Sequence, residues 1–157
     1  MKNLLIFVFC LLTYNAFSQT QEETENWIKQ KLELFYYTNP SDGLDNKLSV
    51  EFKNGNMIFY EVKNMSGVTI SYQTVIPIKQ LNQIMFSEKE STIWIIFTTK
   101  GTNEIKVTDD FVIEPELMSK TEIIMSKDVK QNNMQNRLKN AFSDLVKNYG
   151  GSTQEAY

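Results

Sequence analysis

Histidine is absent from the chain, and Cys10 is its one cysteine. No His-based triad, His-ligated zinc or haem site, or imidazole proton shuttle can therefore be built from it. Chemistry is left to carboxylates, hydroxyls, lysines and aromatic rings. Asp42 with Asp45 and Asn46 could offer oxygens to calcium. An EF-type loop, however, needs acids at every second position and a closing bidentate Glu, and neither is present. Asp42 and Asn46 read instead as turn initiators. Asp109-Asp110 and Glu114/Glu116 are the candidates for paired-carboxylate acid/base work. Adjacent strand residues point to opposite faces, so Asp109 and Asp110 are expected not to converge, and the segment reads as a solvated acidic loop.

Ser66, Ser71, Thr98 and Thr99 could act as nucleophiles only beside a base. No Ser-x-x-Lys opens a helix, and Ser126-Lys127 is merely adjacent. Asn64-Met65-Ser66 matches the N-glycosylation acceptor pattern, read here as a chance match because the leader described below has a bacterial character. Tyr36, Tyr37, Tyr60, Tyr72 and Trp94 could line a ligand groove, although aromatic residues in strands more often pack across the sheet. No phosphate-cradling glycine loop occurs, and no basic stripe carries interleaved aromatics. The sequence assigns no catalytic, cofactor-binding or metal-binding residue.

The elements that would position these groups follow from periodicity. Residues 22–36 predict a helix: Thr20 and Glu23 have capping-box spacing, and Ile28, Leu32 and Phe35, widened by Trp27, form a stripe. Residues 39–43 end it with turn chemistry. From Leu48 the period becomes 2. Leu48, Val50 and Phe52 alternate with polar residues, Asn54-Gly55 turns the chain, and residues 57–62 return. A third strand over 68–76 carries Val68, Ile70 and Tyr72 on one face and stops at Pro77. Residues 78–86 read as a packed connection with a helical turn through Leu81 and Ile84. Residues 92–99 form the plainest strand, with Ile93, Ile95 and Phe97 against Trp94 and Ile96, apolar on both faces. Strands follow over 104–107, 111–113 and 122–126, with Glu114-Pro115-Glu116 separating the last two. A closing helix over 129–149, capped by Asp128 and Gln131, presents Met134, Leu138, Ala141, Phe142, Leu145 and Tyr149 on one face. Gly150-Gly151 supplies its left-handed stop.

The N-terminus carries a different signal. Lys2 precedes an unbroken apolar run from Leu4 to Leu12, and Ala16-Phe17-Ser18 offers small residues at the positions a signal peptidase reads. Nine helical residues at about 1.5 Å each cannot cross a hydrocarbon core of about 30 Å. Residues 1–18 are thus expected to be a secretory leader, and the working protein to begin near Gln19. Phe9 precedes Cys10 where a lipoprotein peptidase needs a small residue, so Cys10 is expected to leave with the leader. The remainder is then thiol-free and one unit more acidic than the −3 of the whole chain. Such a balance gives no electrostatic case for nucleic acid or anionic lipid.

One helix, a meander of about seven antiparallel strands and a long closing helix resemble the pleckstrin-homology-like (PH-like) barrel. Locally, Ile76-Pro77-Ile78-Lys79-Gln80-Leu81 and Asn136-Arg137-Leu138-Lys139-Asn140-Ala141-Phe142 look like PH-like and exported bacterial proteins. The resemblance implies an α+β fold in which a C-terminal helix plugs two orthogonal sheets, with the N-terminal helix an addition. Lipid-headgroup binding does not carry over, because the first hairpin loop, Lys53-Asn54-Gly55-Asn56, holds one basic residue. The expected organisation is a leader over 1–18, helix and linker over 19–46, barrel with closing helix over 47–150, and a polar tail over 151–157. The expected role is an exported, non-enzymatic binding or interaction module of the bacterial envelope, without cofactor and without membrane insertion after leader removal. Its partner would be a protein. The alternative is a carrier of a small apolar ligand held between sheet and helix, and a weaker third is a carboxylate enzyme marked by clustered buried acids.

Overall fold

The computed structural model describes residues 20–38 and 46–154 except Ser66. The expected leader with Cys10, the turn at 39–43, Asp42, Asp45 and residues 155–157 lie outside the described residues.

Helix α1 (Gln21–Phe35) starts as its spacing predicts. The Thr20 hydroxyl accepts from the Glu23 amide, and the Glu23 carboxylate accepts from the Thr20 amide. Ile28 and Leu32 are fully buried. Strands β1 (Lys47–Lys53) and β2 (Asn56–Met65) form the first hairpin, turned by Asn54 (φ 52°) and Gly55 (φ 76°). Strand β3 (Val68–Pro77) continues it; Val68, Ile70 and Tyr72 share one face with Thr74 and Ile76, but that face is buried only toward its end, at Thr74 and Ile76, while Val68 is 51% exposed.

The chain then leaves this sheet. A 3-10 turn (Ile78–Gln80) leads into β4 (Leu81–Lys89), which pairs with β5 (Thr92–Thr99). The helical turn expected through Leu81 and Ile84 is therefore a strand. Residues three apart normally face opposite sides of a strand; here a register shift between Leu81 and Gln83 inserts an extra residue, and both Leu81 and Ile84 point inward. Strands β6 (Ile105–Asp109) and β7 (Glu116–Met118) return to the first sheet, and β8 (Lys120–Ser126) crosses again to the second. Residues 111–113 are loop, not strand. Asp109 Oδ1 accepts the Phe111 amide at 2.8 Å and removes a donor that a ladder would use, so the strand forms later, at Glu116.

The result is an α+β fold of two antiparallel sheets, ordered β1-β2-β3-β6-β7 and β4-β5-β8. Neither sheet closes on itself. The expected barrel and single meander are replaced by two open sheets that exchange strands, because β3 pairs with β6 instead of β4, and β5 pairs with β8 instead of β6. The outer edges are covered in part. Glu33 of α1 accepts the Val50 amide at 2.8 Å, Tyr37 donates its amide to Ile124, and Gln154 donates its amide to Asn82.

Helix α2 (Met134–Asn148) closes the fold but begins five residues later than its periodicity predicts. Asn132 (φ 54°) and Asn133 (φ 57°) are left-handed, which breaks the helix from a preceding 3-10 segment (Lys127–Asn133). Leu138, Phe142, Leu145 and Val146 are fully buried. Phe142 meets Phe97 edge-on at 5.4 Å, and Phe97 meets Phe59 at 5.6 Å. This stack ties α2 to β5 and β5 to β2, joining both sheets and the helix in one core.

Candidate functional site

Strand β2 shows how the core becomes a site. Its inward positions run Met57, Phe59, Glu61, with Met57 and Phe59 buried and the Glu61 side chain 9% exposed. Period-2 alternation thus carries an apolar face into a charged one without leaving the interior. Thr74 of β3, two positions before buried Ile76, makes an apolar-to-polar change on the neighbouring strand. On the other side, Ser119 alone separates β7 in one sheet from β8 in the other. The sheets diverge at this corner and leave a cleft of about 380 Å³, lined by Glu61, Lys63, Tyr72, Thr74, Met118 and Glu122 among others.

Its charges are organised. The Tyr36 hydroxyl donates to Glu61 Oε1 at 2.9 Å, and Lys63 Nζ lies 3.4 Å from Glu61 Oε2. Lys63 also sits 5.0 Å above the Tyr72 ring. On the opposite wall Lys120 and Glu122 pair at 3.9 Å. Burial, and then the Glu61 carboxylate beside it, push the Tyr36 hydroxyl well above its ordinary value of 10. Tyr36 therefore stays a neutral donor, and Glu61 is held by two partners while one side of the cleft faces water. The arrangement suits recognition of a polar group.

The residues singled out from sequence are mostly dispersed. Asp110 lies beyond β6, so alternation does not govern it, and it lines a shallow depression of about 170 Å³ together with Asp109, Tyr60 and Ser71. Asp110 Oδ2 accepts the Ser71 amide at 2.7 Å while Asp109 holds Phe111, so each carboxylate fixes backbone. Glu116 borders the main cleft, and Glu114 is exposed in the loop. Thr98 donates to the Gln83 carbonyl, and Thr99 to those of Gly101 and Ser119. Ser126 bonds Asp128, while neighbouring Lys127 pairs with Glu88. Asn46 accepts the Asn64 amide at 3.0 Å. Of the five aromatics, Tyr72 lines the cleft and Tyr36 reaches it through Glu61. Tyr60 faces away and bonds Glu51, Tyr37 docks its backbone on β8, and Trp94 lies under Lys89 on the other sheet. They form no single groove.

Sequence reasoning missed Glu61 and Lys63. The available signal was the acid two positions after Phe59 in an alternating strand, on the face the pattern assigns to the core. Among the described residues no group of three or more Asp or Glu is placed to hold a metal, and no helix is long and apolar enough to cross a membrane. Comparison with family models, curated proteins and solved structures returned no match to this chain.

Proposed function

We propose that the chain is an exported, non-enzymatic binding and interaction module of the bacterial envelope, which takes a polar or charged segment of its partner in the cleft between the sheets. The observation that carries this reading is Glu61, a nearly buried carboxylate at the wall of an open cleft, already oriented by Tyr36 and Lys63. A site that fixes its charged groups beforehand loses little freedom on binding. Export is supported by the leader pattern over residues 1–18. The PH-like relationship is supported by two antiparallel sheets joined to a closing C-terminal helix, and the exchanged strands depart from it. Where an apolar ligand would sit between sheet and helix, the Phe59, Phe97 and Phe142 rings already pack against one another, so the carrier reading gains no support.

The test is titration of isotope-labelled protein with the protein fraction of the producing cell's envelope. Amide resonances of Glu61, Lys63, Tyr72 and Thr121 should shift, and Glu61→Gln should weaken the response. Hydrolysis of an envelope substrate panel that disappears in Glu61→Gln would overturn the non-enzymatic reading.

A further inference from the structure

The loop between β6 and β7 does the opposite of what a hydrophobic segment normally does. Phe111, Val112 and Ile113 are consecutive, and they are 68%, 50% and 100% exposed. Leu117, in the short strand that follows, is 48% exposed. Single exposed apolar side chains are ordinary on protein surfaces, but a run of three at a loop tip marks a contact site. The base of the loop is fixed: Asp109 accepts the Phe111 amide and Asp110 accepts the Ser71 amide. An anchored stem lowers the ordering that binding would otherwise require.

Charge selects the occupant. Between Lys106 and Lys120 the chain carries Asp109, Asp110, Glu114 and Glu116 and no basic residue. Segments that insert apolar side chains into bilayers are typically flanked by Lys or Arg, which meet anionic headgroups; an acidic collar is repelled by them. A protein socket that is apolar at its centre and rimmed with Lys or Arg complements both the tip and the collar. We propose that the Phe111–Val112–Ile113 tip is a docking prong for such a socket on a partner protein. This rests on the reading of the chain as an interaction module, but at a surface separate from the charged cleft.

The experiment uses protein produced from its full sequence in its own cell, with a photo-crosslinking side chain at position 111 or, as control, at Leu34, which is equally exposed on α1. A protein adduct should form from position 111 and not from Leu34. With the captured partner purified, Ile113→Ser should weaken binding about tenfold or more, as expected for a buried anchor. Glu114→Gln, which lies outside the cleft, should slow association and flatten its salt dependence. These side chains are exposed, so the thermal midpoints of the variants should match that of the unchanged protein. Glu61→Gln, which touches the cleft alone, should leave the position-111 adduct in place, so failure at the cleft and failure at the prong are told apart. The proposal is overturned by adducts to lipid, by cosedimentation with phosphatidylcholine–phosphatidylglycerol vesicles that Ile113→Ser abolishes, or by a self-association that Ile113→Ser abolishes. It is equally overturned by the absence of a position-111 adduct, or by a captured partner whose affinity ignores Ile113→Ser.

Discussion

Replacing Tyr36 with Phe removes one oxygen atom and tests the cleft at its most constrained point. The hydroxyl donates to a carboxylate at 2.9 Å, and hydrogen bonds to charged groups contribute roughly 1.5–3 kcal/mol. Lys63 still holds Glu61, and water reaches the cleft, so we expect a loss near the bottom of that range, about 1.5 kcal/mol at neutral pH. The pH dependence is more diagnostic. Burial and the Glu61 charge raise the folded-state value of Tyr36 above its ordinary 10. Below pH 10 both states keep the proton, and the contribution is fully present. Above it the unfolded chain releases a proton that the folded chain retains, so stability falls as pH rises. The limiting slope is about 1.4 kcal/mol per pH unit, or about 2 kcal/mol by pH 11.5. Solvent screening in the open cleft reduces this to about 1 kcal/mol. Burial and Glu25 also raise Tyr149, but that residue is common to both proteins and cancels in the comparison. The assay is urea unfolding followed by the fluorescence of Trp27 and Trp94 at about pH 7, 9, 10.5 and 11.5, with equal m-values checking that the unfolded state is unchanged. The gap between unchanged protein and Tyr36→Phe should narrow above pH 10. A gap that stays constant to about pH 11.5 would mean that the hydroxyl ionises freely and is not held against Glu61.

Phe142→Ala removes the ring linking α2 to β5 and should cost roughly 3–5 kcal/mol in the same unfolding assay, with a reduced midpoint and unchanged m-value. Glu33→Ala strips the acceptor from the fully buried Val50 amide; a loss of about 1–3 kcal/mol is expected, together with faster hydrogen exchange at Val50 and little change at Phe97. Thr20→Ala breaks one half of the capping box and should cost about 1 kcal/mol, and Thr20→Ser should restore most of it.

The parts of the fold that sequence reveals are those fixed by local rules. Thr20 and Glu23 cap α1 because three-residue spacing brings each side chain to the other's amide. Asn54-Gly55 makes a hairpin because both residues accept positive φ. The misread parts each depend on a partner distant in the chain, or on a local competitor. Leu81 and Ile84 have helical spacing, and only their pairing with Thr99 and Phe97 shows that a bulge creates it. Strand β7 is three residues long and is identified by its pairing with β6, since Glu116, Leu117 and Met118 show no alternation worth reading. The start of α2 is displaced by two left-handed asparagines, which periodicity counting treats as ordinary polar positions. The cleft was the least legible feature, because Glu61 needs Tyr36, 25 residues away, before it looks like more than a misplaced charge.

The exchange of strands between sheets accounts for both surfaces proposed to make contacts. A chain that passes from β7 to β8 through Ser119 cannot keep its ladder intact, because the two strands extend different sheets. Thr99 grips that corner by donating both its amide and its hydroxyl to the Ser119 carbonyl. With the corner fixed, the sheets part beside it, and inward positions there line the cleft instead of facing an opposite strand. Glu61 and Lys63 at those positions are therefore consistent with the pattern that buries Phe59, since the same face runs out of core. The other end of β7 has the converse problem. Three paired residues provide little sheet for the preceding loop to fold back on, and Asp109 and Asp110 spend their carboxylates holding its stem upright. Phe111 to Ile113 are left projecting, and no described residue of the chain covers them.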